Sequence, residues 1–226
     1  KAMEFAGDGM KNLTMSDRIA ICNLCVEAGA KTALMEVDDI ALHYLHEHGL
    51  EPKACFASDA DAHFAAVYDI DLSTITPIVA KPHFVDNVCP AKEAAGVKID
   101  EAFLGSCNNG RIEDLRVGAE LLKGRKVHPL VRFLVVPASQ AVYQQALKEG
   151  LLKIFMEAGA IVMNPNCSVC WGSCQGVIGE GETLISTGTR NFKGRAGHRD
   201  SFVYLASAAT VTASAIKGEI ATADKL

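Results

Sequence analysis

The chain has 226 residues, 49% hydrophobic and 22% charged, which is enough to bury a full core in one large domain or two small ones. A formal charge of -5 lacks the concentrated basic surface that general affinity for nucleic acid requires, so nucleic acid is not an expected partner. No apolar run approaches the ~18 to 20 residues of a membrane span, the opening "KAMEFAGDGM" has no signal-peptide layout, and four of the eight cysteines (Cys22, Cys25, Cys55, Cys89) lie in ordinary stretches, so a soluble, cytoplasmic protein with reduced thiols is expected.

Taken in chain order, "SDRIAICNLCVEAG" predicts a helix capped by Ser16 and stopped by Gly29, with Ile19, Cys22 and Val26 on one stripe. Asn23 and Glu27, four apart, then share a face. "TALMEV" reads as a short strand, and "DDIALHYLHEHG" as a helix with Asp38 as cap and Gly49 past its end. His43, His46 and His48 on that short polar helix read as solvated. X-Pro breaks at Pro77 and Pro82 mark a crossing segment, and a boundary is expected near residue 76, giving units 1–75 and 76–226.

The second part alternates short apolar runs with helical stretches: "EAFLGS", "RIEDLRVGAELLKG", "VRFLVVPAS", "QAVYQQALKEGLLKIFMEAG", "AIVMNP" and "ETLIST". This alternation predicts an α/β fold with a mostly parallel sheet. Ligands in such sheets sit beyond the carboxyl ends of the strands. There the loops hold Cys107, Ser139, Cys167 with Cys170, and Arg190, so one rim gathers thiols and a guanidinium.

"NPNCSVCWGSC" (164–174) leaves several chemistries open. A redox Cys-x-x-Cys normally opens a helix whose dipole lowers a thiol pKa, whereas this pair has Pro165 ahead of it and the glycine-rich "WGSCQGVIGEGE" behind. Cys107, Cys167, Cys170 and Cys174 could also close a structural zinc tetrahedron. Four thiolates on an iron-sulfur cluster make an electron carrier, and three leave one iron open as a Lewis acid. The arginines favour the last reading. "STGTRNFKGRAGH" sets Arg190 and Arg195 in a loop at the same rim, and guanidinium pairs bidentately with carboxylate. Electron transfer has no use for such forks, but an enzyme acting on a di- or tricarboxylic hydroxy acid does.

"ICNLCVEAGA" (21–30), "GSCNNGRIEDLR" (105–116), "NPNCSVCWG" (164–172) and "STGTRNFKGRAG" (186–197) together resemble the aconitase superfamily, on the branch of the large subunits of 3-isopropylmalate dehydratase, homoaconitase and 2,3-dimethylmalate dehydratase. The resemblance runs from "MEFAGDGM" to "AIKGEI". It implies a three-layer α/β/α domain and a [4Fe-4S] cluster held by Cys107, Cys167 and Cys170. It implies that Asn23 and Glu27 hydrogen-bond the substrate hydroxyl and the iron-bound water, and that Arg190 and Arg195 bind substrate carboxylates. Cys174 falls outside the pattern and reads as a structural thiol, and His198 as a surface residue.

Two positions depart from the family pattern. Asn108 stands where Thr is common after the first ligand, and Thr189, a cluster-side position, where Asn precedes the first arginine. The implied reaction is hydro-lyase chemistry on a 3-isopropylmalate-like hydroxy acid, moving a hydroxyl between adjacent carbons. Large subunits of this kind carry a further N-terminal half, and a small subunit with a swivelling domain supplies the base. The chain is therefore expected to be the C-terminal half of a large subunit, inactive alone and prone to lose its cluster. The rivals are an iron-sensing or RNA-binding relative and a zinc-binding scaffold.

Overall fold

The computed structural model describes all 226 residues. They form two compact units, Lys1–Ile75 and Thr76–Leu226.

In the first unit, β1 (Ala2–Phe5) pairs in parallel with β2 (Thr32–Met35), and the helix α1 (Met15–Leu24) lies between them in sequence. The cap of α1 is Thr14 and not Ser16. Its hydroxyl accepts from the Asp17 N–H while the Asp17 carboxylate accepts from the Thr14 N–H, a reciprocal pair that outcompetes a start two residues later. The helix ends before Gly29: residues 25–29 wind as tighter turns closed by Ala30 N–H on the Cys25 carbonyl and Gly29 N–H on Val26. Glu27 therefore lies beyond the last regular turn of Asn23's helix, and Val26 is exposed; Cys25 and Ala30 are the buried residues here.

The second helix, α2 (Asp39–Glu47), is capped by Asp38 as expected. The Asp38 carboxylate also accepts two hydrogen bonds from the buried Arg18, at 2.7 and 2.6 Å, which tie α1 to the start of α2. The Arg18 guanidinium holds the Asp38 carboxyl down at about 2. His43 and His46 are exposed and face Glu47 and Glu51.

The second unit is built on a seven-stranded sheet of β3 (Ile78–Ala80), β4 (Val88–Pro90), β5 (Glu101–Leu104), β6 (Arg132–Val135), β7 (Ile161–Val162), β8 (Thr183–Ser186) and β9 (Phe202–Leu205), in the order β4-β3-β9-β8-β5-β6-β7. Strands β5 to β9 are mutually parallel; β3 and β4 form an antiparallel edge. The α/β class and mostly parallel sheet are as the sequence suggests. The helical run at 140–158 is interrupted, giving α4 (Gln140–Lys148) and α5 (Leu151–Ala158), because Gly150 takes φ 75, a left-handed conformation closed to most residues.

The sheet has two unlike faces. Ala102, Leu104, Phe133, Val135 and Ile185 pack on one side with α3 (Ile112–Leu122), α4, α5 and α6 (Ala208–Lys217). Phe103, Leu134, Val136, Leu184 and Val203 pack on the other with Met163, Val169, Ile178 and Ala196. The covering layer on that second face is thus made of the loops 163–178 and 187–198, not helices. Strand order accounts for this. The chain steps from β5 to β6 to β7 in one direction and then returns to β8 and β9 on the other side of β5, and right-handed crossovers in opposite directions use opposite faces.

Candidate active site

The order reverses between β5 and β8, and the loops leaving these neighbouring parallel strands flank the crevice where α/β sheets bind ligands. The loop after β5 carries Cys107. It is fixed to the end of β8 by Thr187, whose Oγ1 accepts from Gly105 N–H at 2.9 Å and donates to the Gly105 carbonyl at 2.6 Å, and by Asn109 Nδ2, which donates to the Thr187 carbonyl at 2.6 Å. Cys107 is exposed, Asn108 beside it is buried, and the Asn108 Nδ2 group has no hydrogen-bond partner in the chain.

The loop after β7 carries the other thiols. It contains a single short turn, Ser168–Cys170, and no helix, so the dipole that activates a redox pair is missing. Ser168 is buried and holds a left-handed φ of 46, which is uncommon outside glycine. Its N–H donates to Asn166 Oδ1, and its hydroxyl reaches across the loop to the Gln175 carbonyl at 2.8 Å. That bond curls the loop so that Cys167, Cys170 and Cys174 stay on one short arc. Cys167 and Cys174 are exposed and Cys170 is half-buried; the structural role expected for Cys174 does not hold, because a packing thiol would be inside.

The arginine loop follows β8. Thr189 is buried, and its Oγ1 accepts from Arg190 Nη1 at 3.0 Å. Arg195 Nε donates to the Cys170 carbonyl at 2.6 Å, and its guanidinium lies 5.4 Å from the centre of the Phe192 ring. A Cβ added to Gly172 would stand 2.1 Å from the Arg195 carbonyl oxygen, so only glycine lets these two loops approach this closely.

Burial pushes the Cys167 thiol up, the neighbouring thiols of Cys107, Cys170 and Cys174 push it further, and Arg195 pulls it back. Cys107 from one loop, Cys170 and Cys174 from its own and Arg195 from a third therefore all lie near enough to bear on the Cys167 thiol. Asn23 and Glu27 are exposed residues of the first unit, and His198 is exposed on the arginine loop with its Nδ1 accepting from Asp200 N–H.

The donors at this rim are thiols, the ligand type that holds iron-sulfur clusters. All eight cysteines are free, and no group of three or more His, Cys, Asp or Glu side chains is close enough to share one metal. A tetrahedral zinc site needs that convergence. A cubane cluster carries each thiolate on a different iron, so its ligands stand further apart. The unpartnered Asn108 N–H next to Cys107 adds a donor of the kind that hydrogen-bonds cluster sulfurs. Sequence reasoning missed Thr187, Ser168 and Phe192, since none carries a metal-ligand or charge signal.

A parallel sheet whose reversed strand order gathers thiols and an arginine on one rim defines an α/β protein with a thiol-rich site at the switch point of its sheet. The chain belongs to the Aconitase family (aconitate hydratase), whose pattern matches residues 1–96 and 90–218. It is 47% identical over 226 residues to the 3-isopropylmalate dehydratase large subunit of Acetivibrio thermocellus, covering 100% of this chain and 54% of that protein. It is 48% identical over 231 residues to the large subunit of Aquifex aeolicus, again with 100% and 54% coverage. The large subunit of a Hydrogenobaculum species is 48% identical over 221 residues, covering 98% of this chain and 52% of the relative. The chain thus spans about half the length of the curated relatives it matches.

Proposed function

We propose that the chain is the cluster-bearing portion of a hydro-lyase of the 3-isopropylmalate dehydratase type, with a place in leucine biosynthesis. What supports the reading is the placement of Cys107, Cys167, Cys170 and Arg195 on the loops that leave β5, β7 and β8 at one end of the sheet, with Arg195 donating to the Cys170 carbonyl, together with relatives named as large subunits of that enzyme. Cys107, Cys167 and Cys170 hold a [4Fe-4S] cluster. When bound, such a cluster supplies a Lewis acid that polarises the leaving hydroxyl.

The remaining work belongs to side chains. Arg190 and Arg195 bind substrate carboxylates and stabilise the charge that builds on the carboxylate next to the carbon losing its proton. Thr189 holds Arg190 through its hydroxyl. Asn23 and Glu27 take the hydroxyl and water contacts of the family's motif. The proton is taken by a residue of a partner, the small subunit that the relatives' name implies, and the rest of the large subunit completes the site.

The test is anaerobic reconstitution with iron and sulfide, metal and sulfide analysis, and assay with the remaining half of a large subunit and candidate small subunits on isopropylmalate, homocitrate and dimethylmalate. Three cysteine-dependent irons with a labile fourth are expected. Zinc without sulfide would overturn the proposal. In the assembled enzyme Arg195→Lys should cut turnover about 10²- to 10³-fold, as removal of a preorganised charge-stabilising donor does, while cluster absorbance is unchanged. Undiminished turnover would remove the clamp role.

A further inference from the structure

Phe192 is a large apolar side chain on the site rim with 50% of its surface exposed, and it takes no part in either hydrophobic core. Its ring lies 5.4 Å from the Arg195 guanidinium, measured to the ring centre, and its carbonyl accepts from the Arg195 N–H at 2.9 Å in the turn that carries both residues. On the other side Arg195 donates Nε to the Cys170 carbonyl. The arginine is therefore held at two points, by a ring face and by a backbone oxygen of the thiol loop, and neither contact uses its two terminal nitrogens, the pair that forks onto a carboxylate.

We propose that Phe192 is a positioning residue for Arg195: its ring face, acting with the Cys170 carbonyl, fixes the plane of the guanidinium so that the terminal nitrogens are presented to a substrate carboxylate. This rests on the reading of Arg195 as a carboxylate ligand. A flexible arginine spends part of its binding free energy on ordering its own side chain. A ring that orders it beforehand improves affinity without touching the ligand.

The contact has the magnitude of an exposed cation-π pair, about 0.5–1 kcal/mol, which is roughly a two- to fivefold change in an equilibrium constant. Nitrogen-detected magnetic resonance of the Arg195 Nε–H in the 226-residue chain reads the positioning directly, with Arg195→Lys identifying the signal. The hydrogen bond to Cys170 should slow its exchange, and the Phe192 ring should shift it. Phe192→Leu should lose the shift and speed exchange about two- to fivefold, and Phe192→Tyr should restore both. A signal indifferent to Phe192→Leu, or exchanging as fast as a solvated arginine in the parent chain, would overturn the proposal. In the assembled enzyme Phe192→Leu should raise KM by a similar factor with a smaller effect on kcat, again rescued by tyrosine. If Arg195→Lys leaves turnover intact while the resonance result holds, the carboxylate role fails and the positioning stands.

Discussion

Thr187 shows how a residue with no chemistry of its own fixes the loop that carries Cys107. It is 2% exposed, and its hydroxyl both accepts from and donates to the Gly105 peptide, 82 positions away, two residues before Cys107. Valine has nearly the same shape but neither function, so Thr187→Val would leave the buried Gly105 N–H without a partner. A buried donor stripped of its acceptor costs about 1–3 kcal/mol. Urea unfolding of Thr187→Val should show a loss of that size, and, once reconstituted with the proposed cluster, the variant should release iron faster than the parent; an unchanged unfolding midpoint would mean that the Cys107 loop is held by other contacts. Cys107, Cys167, Cys170, Arg190 and Arg195 are legible in the sequence because residue type and position after a strand both point to chemistry. Thr187, Ser168 and Phe192 are not. Their roles depend on partners brought close only by the fold, such as Gly105 for Thr187, and threonine, serine and phenylalanine are common in any chain. Cys174 misleads for the opposite reason: a thiol outside a motif suggests packing, and only the fold exposes it.

At the scale of elements, the end of the sheet away from the thiol rim is closed by charge. Glu101 opens β5, Arg132 opens β6 and Glu182 precedes β8. Arg132 donates to Glu101 at 2.9 Å and bidentately to Glu182 at 2.9 and 2.8 Å, and Glu182 also accepts from Gly179 N–H at 2.7 Å. Glu101 is fully buried with one carboxylate oxygen unpartnered, and burial lifts its pKa to about 7 against the opposing pull of Arg132. The folded chain then binds a proton at Glu101 more tightly than the unfolded chain does, so this group's contribution to stability is full below about 4.5 and is lost as pH rises toward about 7. Comparing urea midpoints at pH 5 and pH 7.5, the parent should lose on the order of 2 kcal/mol more than Glu101→Gln, since each tenfold difference in proton affinity between the folded and unfolded chain is worth about 1.4 kcal/mol. Parallel profiles would show that Arg132 keeps the carboxylate ionised throughout. The sequence carries the alternation that builds the parallel part of this sheet, but β3, β4, β9 and α6 escape it, the first two because they lie in and just after the stretch read as a crossing segment. Strand β9 is a four-residue run between Ser201 and Ala206, and α6 is made mainly of small residues, so neither shows a strong period; both are completed by burial against the rest.

For the whole molecule, the two units differ in how much holds them. The buried apolar residues of Lys1–Ile75 are Cys25, Ala30 and Ala41, small side chains all, and the interior polar link is the Arg18–Asp38 pair. Phe56 and Tyr68, which a core could use, are 82% and 83% exposed. Thr76–Leu226 by contrast buries Phe103, Phe133 and Phe155 with a full complement of leucine, isoleucine and valine on both faces of its sheet. Burying a large apolar side chain contributes about 1.5–3 kcal/mol, and opening free energies follow local core density. In hydrogen exchange of the isolated chain, amides of β1, β2, α1 and α2 should therefore exchange at least about tenfold faster than those of β5, β6 and β8, a difference of about 1.4 kcal/mol or more in opening free energy. Adding the remaining part of a large subunit should slow the first set selectively if it covers Phe56 and Tyr68. Equal protection in the isolated chain would mean that the first unit is stabilised by something other than its own core.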